Sequence, residues 1–83
     1  MERPPGSRNR AVAMETGVTR IYNEAEWRDA LVLVVRGEIE LESVGGESCR
    51  FGCGSILCLV GLRLRALRSR GREPTVLVAV SRR

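Results

Sequence analysis

Between Thr19 and Val80 the chain is cut by glycines and turn residues into apolar segments too short for helices, and this cadence restricts it to β structure. Glu38-Ile39-Glu40-Leu41-Glu42 alternates acid and apolar residue at every step, as a strand with one buried face does. Gly45-Gly46 supplies a hairpin turn that needs positive φ, and a return strand is expected over Glu47 to Phe51, closed by Gly52-Cys53-Gly54. Leu31 to Val35, Ile56 to Val60 and Thr75 to Val80 are continuous apolar runs, so burial of both their faces is expected. Leu62-Arg63-Leu64-Arg65-Ala66 alternates again, and Thr19 to Tyr22 is a short first strand. A helix starting at Asn23, where Asn23 and Glu26 have capping-box spacing, competes with the strand reading. About seven short strands with no long helix make an all-β sandwich or barrel.

Charge and length set further limits. One small domain over 13–83 is expected, preceded by a disordered basic tail over 1–12 that has prolines and arginines but little to bury. No run of about 18 apolar residues is present to span a membrane, and Met1 to Arg10 lacks the apolar stretch of an export signal, so a cytoplasmic protein is expected. The three cysteines then read as free thiols, with Cys58 buried in its apolar run and Cys53 exposed in a turn. Every one of the fourteen basic residues is an arginine. Glu15 to Glu47 holds eight acids against three arginines, whereas Ser48 onward holds eight arginines against Glu73 alone. Such asymmetry marks either a nucleic-acid surface or two halves of a sheet that neutralise each other. The only aromatics are Tyr22, Trp27 and Phe51, which leaves few stacking platforms and disfavours nucleic acid as a partner. Three strands apolar on both faces, with no helix to cover them, point to a homodimer.

The stretch Gly54-Ser55-Ile56-Leu57-Cys58-Leu59-Val60-Gly61-Leu62-Arg63-Leu64-Arg65-Ala66-Leu67-Arg68-Ser69 resembles the second motif of the cupin superfamily. Gly54 matches its opening glycine; Ser55 replaces the common aspartate, Val60 the proline, Arg65 the metal-binding histidine and Ser69 the asparagine. Val34-Val35-Arg36-Gly37-Glu38-Ile39-Glu40 resembles the end of the first motif. Counting back puts Glu24 and Glu26 where paired histidines stand, and Asp29 or Ala30 near the family glutamate. The resemblance implies an all-β, cupin-type jelly-roll barrel or sandwich.

The chain contains no histidine, so the resemblance comes without imidazole ligands, and neither a metal nor another cofactor is expected. Arginine stays protonated and cannot ligate a metal. Were Arg65 to point inward as the replaced histidine does, it would need a carboxylate, and an internal ion pair with Glu24, Glu26 or Asp29 is the expectation. The function read from this pattern is a metal-free, small-molecule binding module. Its anionic ligand is held by Arg65 and Arg63, with Tyr22, Glu24, Glu26 and Asp29 around it. The alternative is a metal-independent isomerase, epimerase or cyclase, for which only Tyr22, the carboxylates and the cysteines offer an acid or base. The charged rows Glu38, Glu40, Glu42 and Arg63, Arg65 read as solvated faces that can pair across strands.

Overall fold

The computed structural model describes residues 8–81. Along them run β1 (Arg8–Met14), β2 (Thr19–Ile21), α1 (Glu24–Trp27), β3 (Ala30–Arg36), β4 (Glu38–Ser43), β5 (Ser48–Gly52), β6 (Ile56–Cys58), β7 (Leu64–Arg70) and β8 (Thr75–Ser81). They form two antiparallel four-stranded sheets, ordered β1-β8-β3-β6 and β2-β7-β4-β5. Partners nest as β1 with β8, β2 with β7, β3 with β6 and β4 with β5, as if one long hairpin had been wound into two layers. That is the jelly-roll arrangement, and it closes a sandwich from a chain with little helix.

Between the layers, Val32, Val34 and Leu77 of the first sheet meet Ile39, Leu41 and Leu67 of the second. The strict alternation of β4 is realised as read: Ile39 and Leu41 face inward, and the glutamates face out. At the end where β4 and β8 begin, the core admits a polar pair. The Thr75 hydroxyl donates to the Glu38 carbonyl (2.8 Å) and lies 2.8 Å from Ser69 Oγ, whose own proton serves either Thr75 or the Met14 carbonyl. Both side chains are fully buried, so each needs these partners.

Four sequence expectations change. The tail ends earlier than residue 12, because Arg8 to Val12 belong to β1; residues 1–7 lie outside the described residues. β1 forms because it pairs along its length with the apolar β8 and buries Val12 and Met14. Asn23 does cap a helix, its side chain accepting from Ala25 N (3.1 Å), but the helix is a single turn and the strand follows it. The apolar strands bury one face each: Leu31 and Val35 on β3 remain 49% and 45% exposed. Cys58 points outward with them and is exposed rather than buried.

Candidate functional site at the crossover end

Two crossovers join the sheets at one end of the sandwich. The first runs from β2 through α1 to β3, and the second from β6 to β7. Each inserts one large apolar residue between the layers: Trp27 from the first and Leu59 from the second, both 1% exposed. The interior at this end is therefore filled by side chains. Trp27 is held from outside as well. Arg10 of β1 lies over its ring at 5.0 Å and donates to the Glu26 carboxylate (2.9 Å) and the Glu26 carbonyl (3.1 Å). Arg20 of β2 donates to the same carboxylate oxygen. Arg10 and Arg20 escape a reading of the sequence, since Arg10 sits among polar residues and its role comes from pairing with distant β8.

The predicted site residues separate into three places. Tyr22, Glu24 and Arg63 come together with Val44, Gly61, Leu62 and Leu64 around an open cleft of about 400 Å³ between the two crossovers. Leu62 and Leu64 also line an adjoining apolar pocket of about 280 Å³ with Leu41, Cys49 and Phe51. Glu26 and Asp29 instead line a separate cleft with Arg10 and Arg28. Arg65 belongs to neither.

The internal ion pair expected for Arg65 is not formed. Its side chain is 55% exposed, 3.6 Å from Glu42 and donating to the Val44 carbonyl (2.9 Å). The cause is one extra residue: Glu42 faces Ala66 and Ser43 faces Leu64, so Arg65 is bulged out of the β4–β7 register. Inward positions are taken by Leu64 and Leu67, and the guanidinium stays in water where its charge costs least. Among the described residues, no group of three or more His, Cys, Asp or Glu side chains is placed to hold a metal ion.

On the outer face of the second sheet, the acid row of β4 meets Arg68 and Arg70 of β7. Arg68 reaches Glu40 (3.2 Å), Glu42 (3.6 Å) and the Thr19 hydroxyl (2.9 Å), and Arg70 Nε lies 2.9 Å from Glu40. The basic stripe is thus a mixed-charge face and not a run of free cations. Burial pushes the Glu40 and Glu26 carboxyls up, but their donors prevail and hold both below the ordinary value of 4.5: Arg68, Arg70 and Ser48 at Glu40, Arg10 and Arg20 at Glu26. A depressed folded-state pKa means stability that is present above about pH 4.5 and lost as pH falls through the lower folded value. Thermal melts are therefore expected to drop steeply below that pH. Glu26→Gln should flatten the slope and cost about 0.5–1 kcal/mol at neutral pH, or roughly 2–8 °C.

Tyr22 behaves oppositely. Burial, then the nearby Glu24 and Cys58, push its phenol above the ordinary value, so it stays protonated and donates at neutral pH. Among the described residues no carboxylate pairs with Arg63, which is exposed at the cleft. The cleft thus offers one unshared guanidinium, one phenol donor and one carboxylate beside an apolar wall.

This jelly roll, with two short crossovers closing one end, is a cupin-like fold. Its solved counterparts include protein NMB1881 from Neisseria meningitidis (TM-score 0.68, 15% identity, 96% of this chain and 77% of that one). An ectoine synthase from P. lautus is also similar (0.63, 24%, 92% and 53%), as is the catabolite activator protein of Thermus thermophilus (0.53, 21%, 92% and 38%). The chain thus spans about half of the ectoine synthase and less of the activator protein. At these identities the likeness carries the fold alone. No protein-family model matches the chain, and no curated protein matches it. No helix among the described residues is long and apolar enough to cross a membrane.

Proposed function

We propose that this protein is a metal-free binding module for a small organic anion, and that the ligand sits at the rim between the crossovers. The observation that carries this reading is Arg63. It is a guanidinium with no carboxylate partner among the described residues, in a cleft beside the Tyr22 phenol. A carboxylate or phosphate can take two parallel hydrogen bonds from the fork of Arg63 and a third from Tyr22. Glu24 in the same cleft accepts from a ligand N–H or O–H group and disfavours ligands that carry several negative charges. Leu62 and Leu64 continue into the apolar pocket, so a ligand with a short apolar body buries it there. Arg65, engaged with Glu42 and Val44, is left out of the clamp in this reading.

Thermal melts against a panel of monocarboxylates and phosphate monoesters test the idea. A ligand at a hundred times its Kd contributes about 2.7 kcal/mol to stability, which is roughly 10 °C or more in so small a domain. Arg63→Ala should abolish that rise while melting like the wild-type protein without ligand, since Arg63 is exposed and outside any strand. An equal rise in the variant, or no rise with any member of the panel, refutes the proposal.

A further inference from the structure

We propose that the outer face of the β1-β8-β3-β6 sheet is the isologous interface of a homodimer. The two sheets differ sharply in what they turn outward. The second carries Glu38, Glu40 and Glu42 against Arg68 and Arg70. The first turns out Leu31, Leu33 and Val35 on β3, Val78 and Val80 on β8, and Ile56 on β6, with alanines 11 and 13 on β1. Ile56 is 66% exposed, and α1, the one helix among the described residues, lies at the crossover end and leaves this face bare. Among the described residues its charges sit at the edges: Arg36 at the last position of β3, and Asp29 just before β3, beside Leu31, Cys58 and Val80.

Three observations favour a second copy over other occupants. A two-fold axis sets the patch against itself, and a patch without acid or base in its middle meets no like charge there. Three strands of seven residues and the three-residue β6, spaced about 4.8 Å apart, span roughly 20 by 15–20 Å. With side-chain relief and rim, such a face approaches the about 600–1,000 Å² per partner of stable interfaces, with sheets stacked about 10 Å apart. A lipid surface is the poorer fit, because membrane-seated faces carry aromatic anchors. Here Trp27 is buried, and Tyr22 and Phe51 pack against the core from other elements.

Cys58 shares this face, whereas Cys49 lies on β5 of the other sheet. In the dimer, Cys58 is shielded and Cys49 is not. Sedimentation equilibrium of the full chain at micromolar concentration should give twice 9.2 kDa. Leu33→Arg and, separately, Val78→Arg, opposite each other in the middle of the face, should weaken association by about a hundredfold or more, because each buries an unpaired charge at the interface. Both should keep a β-type circular-dichroism spectrum. Iodoacetamide should label Cys49 readily and Cys58 slowly in the wild-type protein, and Cys58 should become as reactive as Cys49 on dilution to monomer, a readout that needs no variant to fold. A wild-type chain that stays monomeric, with both thiols equally reactive, overturns the proposal. So does a monomer that co-sediments with phosphatidylcholine–phosphatidylglycerol vesicles, which would assign the face to lipid.

Discussion

Trp27→Ala is expected to cost about 3–5 kcal/mol and to leave a large share of the chain unfolded at room temperature. At about 0.05–0.15 kcal/mol per residue, a domain of this size has only about 4–12 kcal/mol to lose. Trp27 is the largest side chain in the core, and it arrives from a crossover and not from a sheet, so no neighbouring strand can slide in to fill its place. The substitution also removes the ring beneath Arg10 and loosens the grip of Arg10 and Arg20 on Glu26. Trp27→Phe should recover most of the loss. The indole N–H finds no acceptor among the described residues, so an apolar ring forfeits no hydrogen bond. Urea unfolding followed by circular dichroism measures both. An Ala variant with a wild-type midpoint would show that the crossover end is not closed by this residue.

Gly37→Ala should cost about 2–5 kcal/mol for a different reason. Gly37 turns the chain from one sheet into the other at φ +77, a region that costs an L side chain roughly 1–2 kcal/mol. A Cβ there would lie 2.7 Å from the Pro74 carbonyl oxygen and 2.8 Å from Thr75 Cα, both backbone atoms that cannot rotate away. Relieving that overlap moves Thr75, whose hydroxyl joins Glu38 and Ser69 in the buried polar pair, and overpacking of this kind adds about 1–3 kcal/mol. Gly46→Ala is the control. Its φ is also positive, but nothing lies within 4 Å of the added carbon, so only the backbone cost of about 1–2 kcal/mol should appear.

What was legible in the sequence follows the range over which each cause acts. The faces of β4 could be read because alternation is local and its acids and aliphatics are unmistakable. Gly37 and Gly46 mark turns for the same reason. The runs in β3, β6 and β8 announce strands but not their covering, because a continuous apolar run looks the same whether its outer face meets a helix, a partner or water. Arg65 shows how one residue of register undoes a motif. The alternation from Leu62 to Ala66 is unbroken in sequence, yet a single bulged residue sends the guanidinium outward. β1 was hidden because Arg8-Asn9-Arg10 has no strand signal of its own and gains its structure from β8, more than sixty residues away. Of the six residues named for a site, Tyr22, Glu24 and Arg63 line one cleft, whereas the filling of the interior by Trp27 and Leu59 needed coordinates.

The proposed anion meets Arg63 at the rim, beside an interior already filled by Trp27 and Leu59. Titrating the ¹⁵N-labelled protein with the best anion from the thermal panel reads both places at once, through the Arg63 Nε–H and Trp27 Nε1–H resonances. Movement of the Arg63 signal with the buried indole unmoved is the predicted result. Displacement of the Trp27 signal while Arg63 stays still would place the ligand inside the sandwich and contradict it.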